Sequence, residues 1–282
     1  MRSRTGLVVT PVFSSDARQL TEAMRAKQTD VGLFFGRAAL EADPGAGGQV
    51  FARALEGAGL EGHASALIVA ARGKVTLDEV LRCGRRLSFA VGDADSITAS
   101  LAPLTYFFAP RGIDPASCFR QIRQIADSRS RLAAVADGKV DLAAGDPGPW
   151  SLEAGDGPRR AHGVRAIWLS PLLPTDSLVW RKDLEPAVKE TLRQFFLTYG
   201  QGDSAEAGRR RSALSALGLG GFEPADEGHL LPIREMEATK QWMEAKKTKD
   251  PARIAAAART LASIKAERMA LEARTRAPAA AQ

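Results

Sequence analysis

The sequence of 282 residues has few of the residues that build cross-linked, metal-bound or membrane-spanning structures. Its two cysteines, Cys83 and Cys118, have no second cysteine or histidine at metal-ligand spacing. Because two thiols are too few for a disulfide framework, we expect two ordinary, partly buried cysteines. No apolar run reaches the length of about 18 residues that a transmembrane helix needs. The composition therefore predicts no metal site and no membrane span.

Histidine is also scarce, which bears on catalysis. The three histidines, His63, His162 and His229, do not combine with an activated cysteine or with paired carboxylates on one loop. No nucleophile, base and orienting group can be placed together. We therefore expect no catalytic residues, no enzyme activity and no cofactor.

The formal net charge is +6 and the sequence pI is about 9.6. The basic residues are scattered, apart from short runs such as 209–211, and no aromatic residues alternate with them as in a stacking platform for nucleic acid. A basic protein that attracts small anions fits this composition equally well. Composition alone does not choose between these two kinds of partner.

The first part of the chain alternates between strand-like and helix-like patterns. Strands are expected at 6–13, 30–36, 49–54 and 65–71, and helices at 16–27, 37–42 and 76–83. This alternation is typical of a mostly parallel α/β sheet. The pattern continues downstream, with strands expected at 119–126, 140–145, 164–169 and 177–181 and helices at 130–137, 183–199, 235–243 and 251–275.

Residues 87–109 contain the clearest candidate for a binding site. An apolar strand at 87–91 is followed by a Gly-Asp pair and small polar residues, and then by a helix around 98–109. The first N–H groups of a helix have no internal partners and carry partial positive charge. Ser96 and Thr98 place hydroxyl groups beside them, which favours a small oxyanion as ligand. The alternative is that Asp95 or Ser96 only caps the helix.

Residues 164–184 resemble a known family. From Ile167 to Lys182 they follow the pattern Ile-Trp-x-Ser-Pro-Leu-Ile-Pro-x-Asp-Pro-x-Val-Trp-Arg-Lys of the periplasmic phosphonate-binding proteins of ABC importers. The similarity extends through 195–200 and 231–234, and upstream through 30–42 and 92–103, so that it covers nearly the whole chain.

The resemblance implies a two-lobed type II periplasmic-binding-protein fold of the α/β class, with C-terminal helices and a ligand in the cleft between the lobes. By this resemblance we expect the strand–helix unit with which the family begins to be missing from the sequence, and its first eleven residues do not fit a secretory signal peptide. Two chain crossings are expected, near 72–86 and 175–181. The expected parts are 1–86 for the first lobe, 87–176 for the second lobe, 177–234 for the return to the first lobe, and 235–282 for the C-terminal helices and tail.

The family holds the phosphonate oxygens on a Ser-Thr-Ser-Gly helix start, which aligns with Ser96, Ile97, Thr98 and Ala99. One hydroxyl group of that pattern is absent here because its position is Ile97. The resemblance therefore implies Ser96, Ile97 and Thr98 as ligand-binding residues, with fewer donors than the family has.

Other family positions are also altered. Two family tyrosines fall on Phe35 and His63, a histidine falls on Ser128, and a glutamate falls near Gly148. Asp176 is retained, and the alternatives for it are to bind an ammonium group or to cap a turn. Three arginines flank these positions. A guanidinium group that forms two hydrogen bonds with a phosphonate would replace the lost donors. The alternative is that these arginines face solvent. These arginines are Arg37, Arg129 and Arg131.

The function that the resemblance implies is capture of a small oxyanion (phosphonate, phosphite or phosphate) for delivery to an ABC permease in the inner membrane. It implies a periplasmic location and no nucleic-acid partner. One alternative is a receptor of the same fold with an altered ligand or with lost binding. Another is an enzyme on a two-lobed α/β scaffold, such as a transferase of thiamine-precursor synthesis, which the scarcity of histidine and paired carboxylates disfavours.

Overall fold

A computed structural model describes residues 2–14, 16–57, 62–146, 160–161 and 163–276. The strands of these ranges are β1 (Val31–Phe34), β2 (Gly48–Glu56), β3 (Ala66–Ala70), β4 (Ser88–Val91), β5 (Gln121–Gln124), β6 (Leu142–Gly145), β7 (Arg160–Ala161), β8 (Val164–Leu169), β9 (Ser177–Arg181) and β10 (Leu219–Pro224). The α-helices are α1 (Arg2–Thr5), α2 (Ala17–Arg25), α3 (Gly36–Leu40), α4 (Leu77–Leu81), α5 (Pro115–Cys118), α6 (Ser128–Ala136), α7 (Pro186–Leu197), α8 (Ala205–Ala216), α9 (Leu231–Thr248) and α10 (Pro251–Arg276). Further helical segments are Glu41–Gly45, Ile97–Leu101, Pro103–Phe108, Ala109–Arg111 and Glu227–Leu230.

The chain forms two compact units. The first consists of Met1–His63 and Pro174–Ile233, and the second of Ala64–Leu173 and Arg234–Gln282. Each unit has its own sheet, one of four strands and one of six.

The four-stranded sheet of the first unit has the order β1-β9-β2-β10. Every neighbouring pair in it is antiparallel, so the expectation of a mostly parallel sheet is wrong for this unit. The reason is that β9, which comes from a later part of the chain, lies between β1 and β2 and runs opposite to both. Trp180 of β9 stacks on Phe51 of β2 with ring centroids 4.0 Å apart, and both residues belong to a buried core cluster of the unit.

The strand expected at 6–13 is absent from the structure. The described residues 6–14 belong to neither sheet, and Val8 and Phe13 are 76% and 91% exposed. The apolar pattern of this segment indicated a strand, but a strand also needs a neighbour that satisfies its backbone groups. Only Leu7 of this stretch packs against the core cluster of the unit.

The six-stranded sheet of the second unit has the order β5-β4-β6-β3-β8-β7. Strand β4 is parallel to β5 and to β6, and the other three neighbouring pairs are antiparallel, so the expectation of a mostly parallel sheet is wrong for this unit too. A core of tightly packed aromatic rings, including Phe89, Phe108 and Phe119, covers one face of the sheet. Because β4, β5 and β6 run in the same direction, their C-terminal ends meet at one edge, which is the edge that carries the candidate site.

The first division between the units falls after His63 and not at residue 86. Strand β3 pairs with β6 and β8 of the second sheet, and Val80 of α4 lies in the core of that unit. Strand–helix alternation alone does not indicate which sheet a strand joins, because the pairing depends on contacts that are distant in sequence.

The last division of the chain falls after Ile233, in the first turn of α9, so that nearly all of the two long C-terminal helices belongs to the second unit. Glu235 of α9 is 3% exposed, and its carboxylate accepts a hydrogen bond from Arg268 Nε of α10 at 2.7 Å. This buried ion pair joins the two helices. Although α10 has 26 residues, no helix within the described ranges is both long and apolar enough to cross a membrane.

Cys83 and Cys118 form a disulfide bond, with their Cα atoms 4.3 Å apart. The expectation of two ordinary cysteines is therefore wrong. The two residues meet because α4 and α5 end beside each other, where the Arg85 N–H donates to the Cys118 carbonyl oxygen at 3.1 Å. Counting cysteines could not reveal this pair, because the two cysteines are 35 residues apart in sequence and meet through the packing of two short helices.

Candidate functional site

One edge of the second sheet gathers polar groups from several strands. It contains the C-terminal ends of β4, β5 and β6. Because β3 and β8 are antiparallel neighbours, the start of β3 and the end of β8 lie at the same edge, with Ala66 opposite both Gly145 and Leu169. Loops that leave this edge therefore bring residues distant in sequence close together.

The loop after β4 returns tightly onto the strand that it leaves. The Gly92 N–H donates to the Ala99 carbonyl oxygen at 3.2 Å, and Ser100 Oγ donates to the Gly92 carbonyl oxygen at 3.3 Å. A Cβ atom at Gly92 would lie 2.7 Å from Ala99 Cβ and 3.1 Å from Ser96 Cβ. Glycine is therefore required here by the close approach of the helix start to the strand end.

The helix start presents open donors. Residues Ile97–Leu101 and Pro103–Phe108 are helical and are joined through Ala102, whose φ and ψ of −67° and −45° are also helical. Ser96 Oγ accepts a hydrogen bond from the Ala99 N–H at 3.3 Å. The described residues provide no acceptor for the N–H groups of Ile97 and Thr98.

Capping and anion binding are therefore compatible at Ser96. Its hydroxyl oxygen accepts from Ala99, and its hydroxyl hydrogen remains available as a donor. The hydroxyl of Thr98 has no hydrogen-bond partner among the residues that the structure describes. Two N–H groups and two hydroxyl groups thus lie on one half-buried turn, and this set of donors suits an oxyanion.

Two serines at strand ends, the buried Ser65 and the half-buried Ser170, support this turn. Ser65 is fully buried, and its Oγ donates to the Thr98 carbonyl oxygen at 2.6 Å. The Ser65 N–H donates to Ser170 Oγ at 2.9 Å, and the Ser170 N–H donates to the Ser65 carbonyl oxygen at 2.8 Å. The start of β3 and the end of β8 therefore hold the backbone of Thr98 in place.

A hydrogen bond and an ion pair at the surface hold the rest of the loop after β4. Asp93 accepts a hydrogen bond from Gln124 Nε2 at 2.6 Å, and Asp95 forms an ion pair with Lys240 Nζ at 2.6 Å. Asp95 therefore does not cap the helix; Ser96 does.

Ser128 begins α6, which follows the end of β5 at the same edge of the sheet. Its side chain is exposed, while the neighbouring Asp127 caps the helix by accepting from the Ser130 N–H at 2.6 Å. That hydrogen bonding with Ser130 lowers the pKa of Asp127. Ser128 therefore lies at the candidate edge, and no residue in the described ranges forms a hydrogen bond with its hydroxyl group.

The remaining predicted residues belong to the first unit and share an edge of its own sheet. Phe35 directly follows β1 and Asp176 directly precedes β9, next to the paired residues Phe34 and Ser177. Phe35 is 60% exposed, and it begins α3 without a side-chain cap. The backbone of Asp176 is held in the sheet by a hydrogen bond, in which the Asp176 carbonyl oxygen accepts from the Ala54 N–H at 2.8 Å. The Asp176 carboxylate takes no part in this bond.

Asp176 is part of a small cluster of ionisable groups. His63 Nδ1 lies 2.6 Å from Glu56 Oε1, and both charges act on Asp176. Burial raises the pKa of Asp176 to about 6; the His63 charge opposes this shift and the Glu56 charge adds to it. Because burial makes this carboxylate costly to ionise, a cationic group of a ligand beside it would stabilise its charged form.

Of the flanking arginines, Arg37 pairs with Glu41 Oε1 at 3.0 Å and Arg129 is exposed. Arg131, in contrast, is 4% exposed. Gly148 and His162 lie outside the described residues. His229 is half-buried, with its Nε2 at 2.9 Å from the Thr175 carbonyl oxygen, and desolvation lowers its pKa.

Ser65 and Ser170 are the site residues that sequence reasoning missed. Ser65 precedes an unbroken apolar strand, and Ser170 lies in the Ser-Pro step of the segment that carries the family resemblance. Both look like ordinary strand ends in the sequence, because their role depends on the antiparallel pairing of β3 with β8.

Comparisons with known proteins agree with this architecture. The model of the family described as "ABC transporter, phosphonate, periplasmic substrate-binding protein" matches residues 1–230. The phosphonates-binding periplasmic protein of Escherichia coli (strain K12) is 30% identical over 250 residues, which are 88% of this chain and 72% of that protein.

Solved structures show the same fold. The binding protein component of an ABC phosphonate transporter from Pseudomonas aeruginosa is 31% identical, with a TM-score of 0.70 over 96% of this chain and 90% of that chain. A protein of Prochlorococcus marinus (MIT 9301) in complex with methylphosphonate is 18% identical, with a TM-score of 0.61 over 83% of this chain and 87% of that chain. The two-lobed α/β fold of type II periplasmic binding proteins is thereby confirmed. The chain belongs to the family of periplasmic substrate-binding proteins of phosphonate ABC transporters.

Proposed function

We propose that this protein captures a phosphonate, or a related small oxyanion such as phosphite or phosphate, and delivers it to the permease of an ABC transporter in the inner membrane. Family membership supports the transport role. The observation that carries the choice of ligand is the helix start after β4, where the N–H groups of Ile97 and Thr98 are open beside the hydroxyl groups of Ser96 and Thr98.

The proposed binding follows from preorganised donors. A hydrogen bond to a charged group contributes about 1.5–3 kcal/mol. The donors of this turn are fixed by contacts within the protein, since Ser65 Oγ donates to the Thr98 carbonyl oxygen at 2.6 Å and Gly92 lets the turn approach the strand. The ligand therefore does not have to order the loop, which preserves binding free energy.

Asp176 is the proposed partner of an ammonium group in ligands that carry one. Its pKa of about 6 leaves it ionised at neutral pH, and a cation beside it would relieve the cost of burying that charge. Aminoethylphosphonate is expected to gain from this contact, and methylphosphonate is not.

The disulfide between Cys83 and Cys118 supports a periplasmic location for this chain. Disulfides persist in oxidising compartments such as the bacterial periplasm and are rare in the reducing cytosol. Thiol labelling of the protein released by osmotic shock tests the proposal: blocked cysteines are expected in that fraction, and two reactive thiols in a protein retained by the cells would contradict it.

Isothermal titration calorimetry with aminoethylphosphonate, methylphosphonate, phosphite and phosphate tests the proposed function. We expect micromolar or tighter binding of at least one of the four. Absence of binding of all four by the folded protein would overturn the proposal.

Ile97 and Phe35 favour a second candidate, a receptor of the same fold for a more apolar oxyanion without an amine. Phe35 is 60% exposed, and Ile97 is half-buried on the turn that presents the donors. A thermal-shift screen of alkylphosphonates of increasing size distinguishes the two. A stabilisation that increases with alkyl size favours this candidate, whereas the largest stabilisation by aminoethylphosphonate contradicts it.

A further inference from the structure

Arg131 is a buried cation at the edge of the second sheet. It lies in α6 and is 4% exposed. Its Nη1 donates to the carbonyl oxygens of Ile125 and Ala126, both at 2.6 Å, and its Nε donates to the carbonyl oxygen of Ala144 at 3.1 Å. The guanidinium group thus bridges the end of β6 and the residues that follow β5, on either side of the end of β4.

Within the described ranges, no direct ion pair neutralises the charge of Arg131. Among the described residues no carboxylate lies within 4.0 Å of its guanidinium group. Two carboxylates act on it from a greater distance: Asp127 caps α6, and Asp93 is held by Gln124. Asp146, which follows β6, has an interaction of its own. Since an isolated buried charge is costly, this arrangement is suited to a negative partner from outside the chain.

The Nη2 nitrogen of the guanidinium group lies beside Gly145 at the same edge of the sheet. The described residues provide no hydrogen-bond acceptor for Nη2, which would lie 3.5 Å from a Cβ atom at Gly145. Gly145 ends β6, the strand that packs against the helix start at Ile97–Leu101. Burial of the guanidinium group also lowers the pKa of Arg131, as expected for a cation without a paired carboxylate.

We propose that Arg131 determines the charge preference of the oxyanion site by placing a buried positive charge beside the helix start, so that a doubly charged oxyanion binds in preference to a singly charged one. This proposal rests on the proposed function. The Coulomb energy between the guanidinium group and the ligand is proportional to the charge of the ligand. Salt and water screen this interaction less when the guanidinium group is buried than when it lies at the surface. Neutral hydroxyl and N–H donors alone distinguish a dianion from a monoanion less strongly than a full positive charge does.

A structural role for Arg131 predicts a different result. If the guanidinium group only holds the ends of the strands, its loss loosens the site for every ligand equally. If it supplies charge, its loss weakens a dianion more than a monoanion of the same shape. Methylphosphonate, above its second ionisation, and methanesulfonate form such a pair.

The test compares the affinities of these two ligands for the wild-type protein, for Arg131→Gln and for Arg129→Gln, the matched control at an exposed arginine of the same helix. Calorimetry measures methylphosphonate, and competition against it measures methanesulfonate. For Arg131→Gln we expect the affinity for methylphosphonate to fall about 100-fold and that for methanesulfonate about tenfold, because the energy lost is twice as large for the dianion. Arg129→Gln is expected to leave the ratio of the two affinities unchanged.

The wild-type protein provides a second measurement in case Arg131→Gln does not fold. Methylphosphonate loses its second charge as the pH falls, whereas methanesulfonate keeps a single charge. We expect the preference for methylphosphonate over methanesulfonate to decrease as the pH falls through the second ionisation of methylphosphonate. Equal losses for both ligands in Arg131→Gln, or a wild-type preference that does not follow the charge of methylphosphonate, would overturn the role of Arg131 alone. Failure of the wild-type protein to bind any oxyanion would overturn the proposed function as well.

Discussion

Ser65 donates its hydroxyl hydrogen to the carbonyl oxygen of Thr98, with the two oxygens 2.6 Å apart. This bond joins the first residues of the second unit to the helix start that carries the candidate anion site. It acts on the backbone, and so it fixes the direction of the neighbouring N–H groups. The account therefore gives Ser65 a positioning role without a contact to the ligand.

Ser65→Ala is expected to weaken oxyanion binding and to destabilise the protein. The substitution leaves a buried carbonyl acceptor without its donor, which costs about 1–3 kcal/mol of stability. The affinity for methylphosphonate should fall because the turn must then be ordered by the ligand. Urea unfolding and calorimetry measure the two effects. Ser117→Ala, at an exposed serine of the same unit, is the control and should change neither.

Ile97→Thr is expected to strengthen phosphonate binding. It restores the hydroxyl group that the family's helix start has at this position, and one added hydrogen bond to a charged ligand corresponds to an increase of about tenfold or more. Titration with methylphosphonate measures the gain, and Ile97→Val serves as the control of similar shape without a hydroxyl group. Equal affinities of the two variants would contradict the placement of the ligand at this turn.

Asp176→Asn is expected to stabilise the protein at neutral pH. The pKa of Asp176 in the folded protein is about 6, above its ordinary value of 3.8, so the folded state binds more protons between these values. Stability therefore falls as pH rises through this window and stays lower above it, by at most about 3 kcal/mol at pH 7.

Urea unfolding of Asp176→Asn at pH 7 and pH 4 measures this effect. The variant should be more stable than the wild-type protein at pH 7 and nearly equal to it at pH 4. Asp203→Asn, at an exposed carboxylate of the same unit, should have little effect at either pH. A loss of stability in Asp176→Asn at pH 7 would show that the carboxylate has a favourable partner in the free protein.

Reduction of the disulfide is expected to destabilise the second unit. The bond between Cys83 and Cys118 closes a loop with a sequence separation of 35. In the chain-entropy model such a loop contributes about 4 kcal/mol. Thermal unfolding of Cys83→Ser/Cys118→Ser against the oxidised protein measures the loss. Unchanged unfolding would mean that the packing of Phe119 and Val80 alone holds the ends of α4 and α5 together.

The elements that the sequence predicted best are those whose pattern is local. The strands at 164–169 and 177–181 have the expected bounds because each is a short apolar run between turn residues. The predictions failed where the outcome depends on a partner: residues 6–13 have a strand pattern without a paired neighbour, and β3 joins the second sheet through β6 and β8.

The same distinction applies to the candidate site. Ser96 and Thr98 were predicted from the pattern of a strand, a loop and a helix, which one short stretch of sequence contains. Ser65 could not be predicted because it approaches Thr98 from 33 residues away. The burial of Arg131 depends on carbonyl oxygens of two separate strand ends, and Arg129, two residues earlier, is exposed. The sequence pattern does not show which of these two arginines is buried and which is exposed.

Amide NMR of the ¹⁵N-labelled protein titrated with methylphosphonate tests the central claim, that the oxyanion binds at the helix start after β4. The account predicts that the N–H resonances of Ile97 and Thr98 shift downfield and saturate with the affinity measured by calorimetry. The amide of Ser117, remote from the site, should not move. Saturable binding that leaves the resonances of Ile97 and Thr98 unchanged would contradict the account.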